Sequence, residues 1–237
     1  MRIAWDLTGF LIPRDKIDDY FSTLIGRVYH MQWQLHFTER QPRVALLVSK
    51  ASHCLYDLLQ RHGTGELACA IPLIASNHPS LGEIAGRFGI PFHHLPVSEN
   101  KAEQEQRLNS LLRDNEIDLV VLARYMQILS DDFCAAWPYR IINIHHSFLP
   151  AFKGARPYQH AHERGVKLIG ATSHYVTADL DEGPIIAQSV APVSHHHAVK
   201  DLKRIGKDVE KRVLAEAVYL HLQHRILPFG NRTIIFH

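Results

Sequence analysis

The sequence lacks both glycine-rich nucleotide signatures. Where a G-x-G-x-x-G or G-x-x-x-x-G-K-[ST] would begin, after the apolar run Val44 to Val48, stand Ser49, Lys50, Ala51, Ser52 and His53. Without glycines the backbone amides cannot easily approach a pyrophosphate, so nucleotide chemistry loses most of its support. The plain reading of this stretch is a strand-to-helix turn with Ser52 as the helix cap. Cysteine is scarce as well: Cys54, Cys69 and Cys134 lie far apart, form no C-x-x-C pair and cannot all pair within one chain, which points to a reducing cytoplasm. Apolar runs such as Leu119 to Leu122 are too short to span a bilayer, and no signal-peptide pattern opens the chain. Charge of one sign is missing too. Lys and Arg total 26 against 24 Asp and Glu, a formal +2, so neither a nucleic acid nor an acidic membrane is expected as the main partner.

What is present suits a globular protein: 237 residues, 46% apolar and 21% charged, enough for one good core and a small second module. The first forty residues read as a strand (Arg2 to Trp5), a helix from about Arg14 to Tyr29 and an alternating strand, Met31 to Phe37, closed off by Pro42. From Val44 onward, strand and helix patterns alternate as βαβ units on a mostly parallel sheet. Strands are expected near Ala70 to Ala75, Leu119 to Leu122, Ile141 to Ile144, Ile169 to Val176 and Ile185 to Val190. Helices are expected over Pro79 to Phe88, Ala102 to Arg113, Asp131 to Trp137 and Val199 to His224; the last carries Leu202, Ile205, Val209, Val213, Ala217 and Leu220 at helical spacing. A Gly230-Asn231 turn and a short apolar strand end the chain.

Histidine is unusually frequent, with 18 copies, and the densest polar cluster is Asn143-Ile144-His145-His146-Ser147 at the end of a buried strand. Residues two apart in a strand point to one side, so Asn143 and His145 share a face at the carboxyl end, where open α/β sheets hold their ligands. Asn offers a neutral donor to a developing oxyanion, and His takes a proton from water near neutral pH. Spacing alone supports equally well a pair that satisfies backbone groups in a turn. Asp181, in the tight loop Leu180-Asp181-Glu182-Gly183-Pro184, reads as a solvated turn former unless the fold brings it to His145, where it would orient the imidazole. His145, His146, His174 and Asp181 are zinc-type ligands in poor spacing, with no H-E-x-x-H, and neighbouring strand histidines face opposite ways. His174, inside an apolar strand, reads as a hydrogen-bonded core histidine, and His195 to His197 as a solvated loop.

The run Asn143 to Pro150, followed by Gly170 to Val176 and Leu180 to Ile186, resembles the folate-dependent formyltransferase superfamily. Three motifs in order at the family's spacing form a strong signal. The resemblance implies a Rossmann-like formyltransferase fold, and it assigns action on the formyl group to Asn143, His145 and Asp181. It also implies folate binding by Arg124, Met126, Gln127, Ile128 and Leu129, with Thr177 and Asp179 in the later loop. Within the superfamily the chain is most similar to the formyltetrahydrofolate deformylases, through Val48 to Leu59, Ser76 to Pro79, Pro91 to Pro96 and Leu122 to Met126. That implies hydrolysis of 10-formyltetrahydrofolate, with water as the second substrate and no cofactor or metal, releasing formate and free tetrahydrofolate to one-carbon and purine metabolism. Glycinamide ribonucleotide formyltransferases, the nearest alternative, carry a glycine-rich phosphate loop that this sequence lacks, and usually Pro in place of His146. A non-catalytic folate or amino-acid sensor is the other alternative. Residues 1 to about 40 resemble the second half of a βαββαβ regulatory ACT module, leaving 41 to 237 as the catalytic domain. Because such modules pair with a second copy, a homo-oligomer is expected, and the partial module is expected to leave the activity insensitive to free amino acids.

Overall fold

The computed structural model describes residues 1–97, 100–150 and 156–237, and divides into two units, Met1–Arg40 and Gln41–His237. In the first, a helical stretch runs through a 3-10 turn (Arg14–Lys16), helix α1 (Ile17–Phe21) and a π turn (Ser22–Gly26). The strands expected at Arg2 to Trp5 and Met31 to Phe37 do not form. Alternating side chains suit a strand, but a strand exists only as part of a hydrogen-bonded ladder, and neither segment has one here. Instead Trp33 packs at a tilt against Phe21, with ring centroids 4.7 Å apart, as a loop folded onto the helix.

The second unit is built on a seven-stranded sheet of order β3-β2-β1-β4-β5-β6-β7. β1 (Arg43–Val48), β2 (Ala70–Ser76), β3 (Phe92–His94), β4 (Leu119–Leu122) and β5 (Ile141–His145) run parallel, while β6 (Leu168–Tyr175) and β7 (Ile185–Pro192) add antiparallel. The mostly parallel sheet is as expected; β3 and the antiparallel edge are additions. Along β1 every residue from Val44 to Val48 is buried, because helices cover both faces of a parallel sheet. Val44, Leu46 and Val48 pack with Leu55 and Leu59 of α2 (His53–Gly63) and Val213 of α7 (Val199–Leu222). Ala45 and Leu47 face the other way, onto Leu108 and Leu112 of α4 (Lys101–Asp114) and Phe133 of α5 (Asp131–Ala136). Between β2 and β3 lies α3 (Gly82–Arg87), and α6 (Pro157–Arg164) precedes β6. A hairpin of β8 (Ile226–Phe229) and β9 (Arg232–Ile235) follows α7. No helix among the described residues is long and apolar enough to cross a membrane.

The strand order reverses between β1 and β4: the chain leaves β1 toward β2 on one side and later returns to β4 on the other. Such a reversal opens a crevice at the carboxyl ends of the two strands, the standard ligand position in open α/β sheets. The Ser49–Ser52 turn and the segment from Ala123 to Leu129 border that crevice.

Candidate active site

Asn143 and His145 lie at the carboxyl end of β5, as alternation along the strand requires. Opposite them runs β6, whose register sets Asn143 against His174 and His145 against Thr172. Thr172 pins the chain after β5: its hydroxyl accepts from the Leu149 N–H at 3.0 Å and donates to the Ser147 carbonyl at 3.0 Å.

Asp181 meets both histidines. One carboxylate oxygen lies 3.1 Å from Nδ1 of His145 and the other 3.5 Å from Nε2 of His174. The loop that delivers it is held in a demanding conformation, with Asp181 in the left-handed region at φ 57°. Two residues on, Gly183 touches β6 so closely that a Cβ there would stand 1.8 Å from the Tyr175 carbonyl oxygen. Burial alone would raise the Asp181 carboxyl, but the hydrogen bond from His145, joined by one from His174 when that ring is protonated, outweighs it and holds the group well below the ordinary carboxylate range. Asp181 is therefore an anion at neutral pH. Since a carboxylate only accepts, His145 donates from Nδ1, which leaves its Nε2 with a lone pair in the neutral ring. That Nε2 is buried and has no hydrogen-bond partner among the described residues.

His174 is buried and hydrogen-bonded, but it belongs to this cluster as well as to the core. Its Nδ1 donates to the Tyr175 carbonyl at 2.9 Å, so its Nε2 accepts from the Asn143 amide at 3.3 Å when the ring is neutral. Asn143, His174, Asp181 and His145 thus form one chain of contacts, with the Asn143 amide nitrogen keeping a second N–H for a ligand. The register that sets His174 against Asn143 is a pairing between strands, which spacing along the sequence does not show.

A second polar cluster occupies the crevice between β1 and β4. Glu210 of α7, 1% exposed, accepts hydrogen bonds from His53 Nε2 at 2.8 Å and the Tyr158 hydroxyl at 2.6 Å, with Arg124 Nε at 3.5 Å. Burial would raise the Glu210 carboxyl; the His53 hydrogen bond, the Arg124 guanidinium and the Tyr158 hydroxyl more than offset that and lower it. Tyr158 reaches Glu210 by crossing Gly206, one helical turn earlier, where a Cβ would lie 2.0 Å from the hydroxyl oxygen. Ser52 occupies the N-cap position of α2 but makes no side-chain capping bond, and the next residue, His53, sends its ring to Glu210. None of His53, Tyr158 and Glu210 was singled out by the sequence as a functional residue. The readable signal was Glu210 itself, a carboxylate on the apolar face of α7 beside Val209 and Val213. His146 bridges the two clusters, its ring centroid 5.3 Å from that of His145 and 6.1 Å from that of Tyr158. Burial, and then the Arg124 guanidinium, push its pKa down to about 4, so it is neutral at physiological pH.

The expected folate segment lies beside these clusters, secured by Ser49, whose hydroxyl accepts from the Met126 N–H at 2.9 Å and donates to Asn77 at 2.6 Å. Arg124, at φ 66°, turns its guanidinium toward Glu210, with Nε and Nη1 buried and unpaired by hydrogen bonds among the described residues. Met126 and Ile128 expose apolar side chains, Gln127 returns to the Met126 carbonyl at 2.7 Å, and Leu129 enters the core. A cleft here is lined by Val97, Lys101, Gln104, Tyr125, Ile128 and Leu129. In the Asp181 loop, Thr177 is partly buried and donates to the carbonyl of the exposed Asp179 at 3.2 Å.

Comparison with known proteins gives a consistent answer. The formyl transferase family profile matches residues 42–218. A formyltetrahydrofolate deformylase of Synechocystis is 57% identical over 236 residues, 99% of this chain and 82% of that protein. Among solved structures, a formyltetrahydrofolate deformylase from Burkholderia mallei superposes with a TM-score of 0.90 at 46% identity, covering 95% of this chain and 80% of that one. A glycinamide ribonucleotide transformylase from Symbiobacterium toebii is further away, with a TM-score of 0.81 at 33% identity, over 86% of this chain and 99% of the other.

Proposed function

The chain belongs to the formyl transferase family, among its formyltetrahydrofolate deformylases, and from that we propose how its site hydrolyses 10-formyltetrahydrofolate to formate and tetrahydrofolate. The observation that carries the mechanism is the His145–Asp181 contact, which leaves the buried Nε2 of His145 free to accept a proton. A water within reach of Nε2 loses a proton to it as its oxygen attacks the formyl carbon. Charge gathers on the former carbonyl oxygen, where the free N–H of the Asn143 amide donates. The imidazolium, stabilised by Asp181, returns the proton to N10 as the carbon–nitrogen bond breaks, so the folate amine is left neutral and formic acid departs, losing its proton to water as formate. His174, as the acceptor for the other N–H of that amide, steadies Asn143.

Arg124 to Leu129, with Thr177 and Asp179, form the folate side: apolar Met126 and Ile128 offer a face for the flat ring system, and the Arg124 contribution comes from its backbone. Activation by an imidazole requires no metal, so activity should survive exhaustive chelation. Cytoplasmic location, self-association and independence of nucleic acids and membranes complete this proposal. Its test is formate release from 10-formyltetrahydrofolate supplied alone. His145→Ala should reduce turnover by about a hundredfold or more; a folded His145→Ala protein with near wild-type rates, or loss of activity on chelation restored by zinc, defeats the mechanism. Tight folate binding with no turnover in the wild type would favour the sensor alternative.

A further inference from the structure

The crevice between β1 and β4 has the features of an anion site: it lies at the strand-order reversal, beside the first turn of α2, and Arg124 brings a guanidinium to it. Helix N-termini and guanidinium groups attract phosphates and carboxylates. In this chain an anion is already built in. Glu210 comes from α7, 157 residues away in sequence from His53, and sets its carboxylate against the His53 ring, the Tyr158 hydroxyl and Arg124. Four separate segments therefore converge to hold one buried charge. Burying a carboxylate is costly unless it is fully paired, and an apolar residue would have filled the same volume without that demand.

We propose that Glu210 is a specificity-determining residue, an internal anion that closes the crevice beside the histidine pair to phosphorylated acceptors and leaves attack on the formyl group to water. The proposal rests on the deformylase reading above and adds the reason the acceptor is water. A phosphate entering here would find the Arg124 guanidinium already facing the Glu210 carboxylate and would meet that like charge at close range, which excludes a competitor without tightening the intended substrate. His146 connects the cluster to the reacting side: it lies between Tyr158 and His145 and adds no charge at neutral pH. The residues could suggest a metal instead, because ligand atoms of His53, Cys54 and Glu210 lie within 4.8 Å of one another. Their chemistry argues otherwise. His53 already donates its proton to the carboxylate, Arg124 supplies the cation, and burial raises the Cys54 thiol so that it stays protonated.

Glu210→Gln keeps the shape and removes the charge. With inorganic phosphate as the probe, against chloride at matched ionic strength, wild-type hydrolysis should be unaffected, whereas Glu210→Gln should be inhibited at concentrations at least tenfold lower than any that affect the wild type. Tyr158→Phe, which removes one donor and keeps the carboxylate, should stay as insensitive to phosphate as the wild type. A merely structural Glu210 would change melting temperature without changing phosphate sensitivity. A folded Glu210→Gln protein with wild-type phosphate sensitivity overturns the proposal, and so does specific phosphate inhibition of the wild type, which needs no variant to fold. Either result leaves formate release intact, whereas failure of the wild type to release formate counts against the deformylase reading itself.

Discussion

Asp181 and Glu210 are both carboxylates held ionised by histidine donors at the carboxyl edge of one sheet, and they are placed by opposite means. Asp181 sits on a tight loop, 13% exposed, and faces two imidazoles. Glu210 sits mid-helix, with its side chain 2% exposed, and its partners come from three other segments. The loop group can adjust as a proton moves on His145, while the helix group is fixed by packing. Position in the fold thus separates the charge we propose takes part in a proton transfer from the one we propose shapes the space around it.

Breaking that contrast begins with Glu210→Ala. Removing one partner of a buried ionic cluster leaves the others unpaired, and a loss of about 3–5 kcal/mol in urea unfolding is expected; a loss below about 1 kcal/mol would mean that water replaces the carboxylate. Asp181→Ala should weigh the other way, with a smaller loss in unfolding than Glu210→Ala and turnover down by about a hundredfold, because the imidazolium loses its counter-charge. Both carboxyls have depressed pKa values in the folded chain, so the stability they supply is full above the ordinary carboxylate range, near pH 4, and is lost as pH falls below it.

His146 sharpens the comparison from the other side. Its folded pKa, about 4, lies under the ordinary histidine value, so the unfolded chain binds the extra proton and stability falls as pH drops from about 6.5 toward 4. His146→Gln should flatten that part of the pH–stability curve by on the order of 2 kcal/mol, allowing for the partial exposure of the ring. An unchanged slope in the variant would place the titration elsewhere.

The sequence carried the residues proposed for catalysis better than it carried their surroundings. Asn143 and His145 were legible because period-two alternation fixes which strand residues share a face. Their contact with Asp181 was not, since it depends on an antiparallel return of β6 that no local pattern encodes. Three-residue β3 is too short for periodicity to register, and α6, rich in His and charged residues, lacks a clear apolar stripe. The strands expected before Pro42 failed for a different reason: Met31 to Phe37 alternates well, but alternation describes a face and supplies no neighbouring strand. Ser52 looked like a cap by type and holds the cap position, yet the hydroxyl makes no capping bond.

Gly206 turns the ordinary logic of helix substitution around. Within a helix, replacing glycine by alanine is usually worth about 0.5–1 kcal/mol in stability. At this position the added methyl would occupy the path of the Tyr158 ring, 2.0 Å from its hydroxyl oxygen. A change that local propensity favours would therefore act at a distance as a lesion, displacing a donor from Glu210 and altering what may approach the histidines, while no residue near the formyl group had been touched.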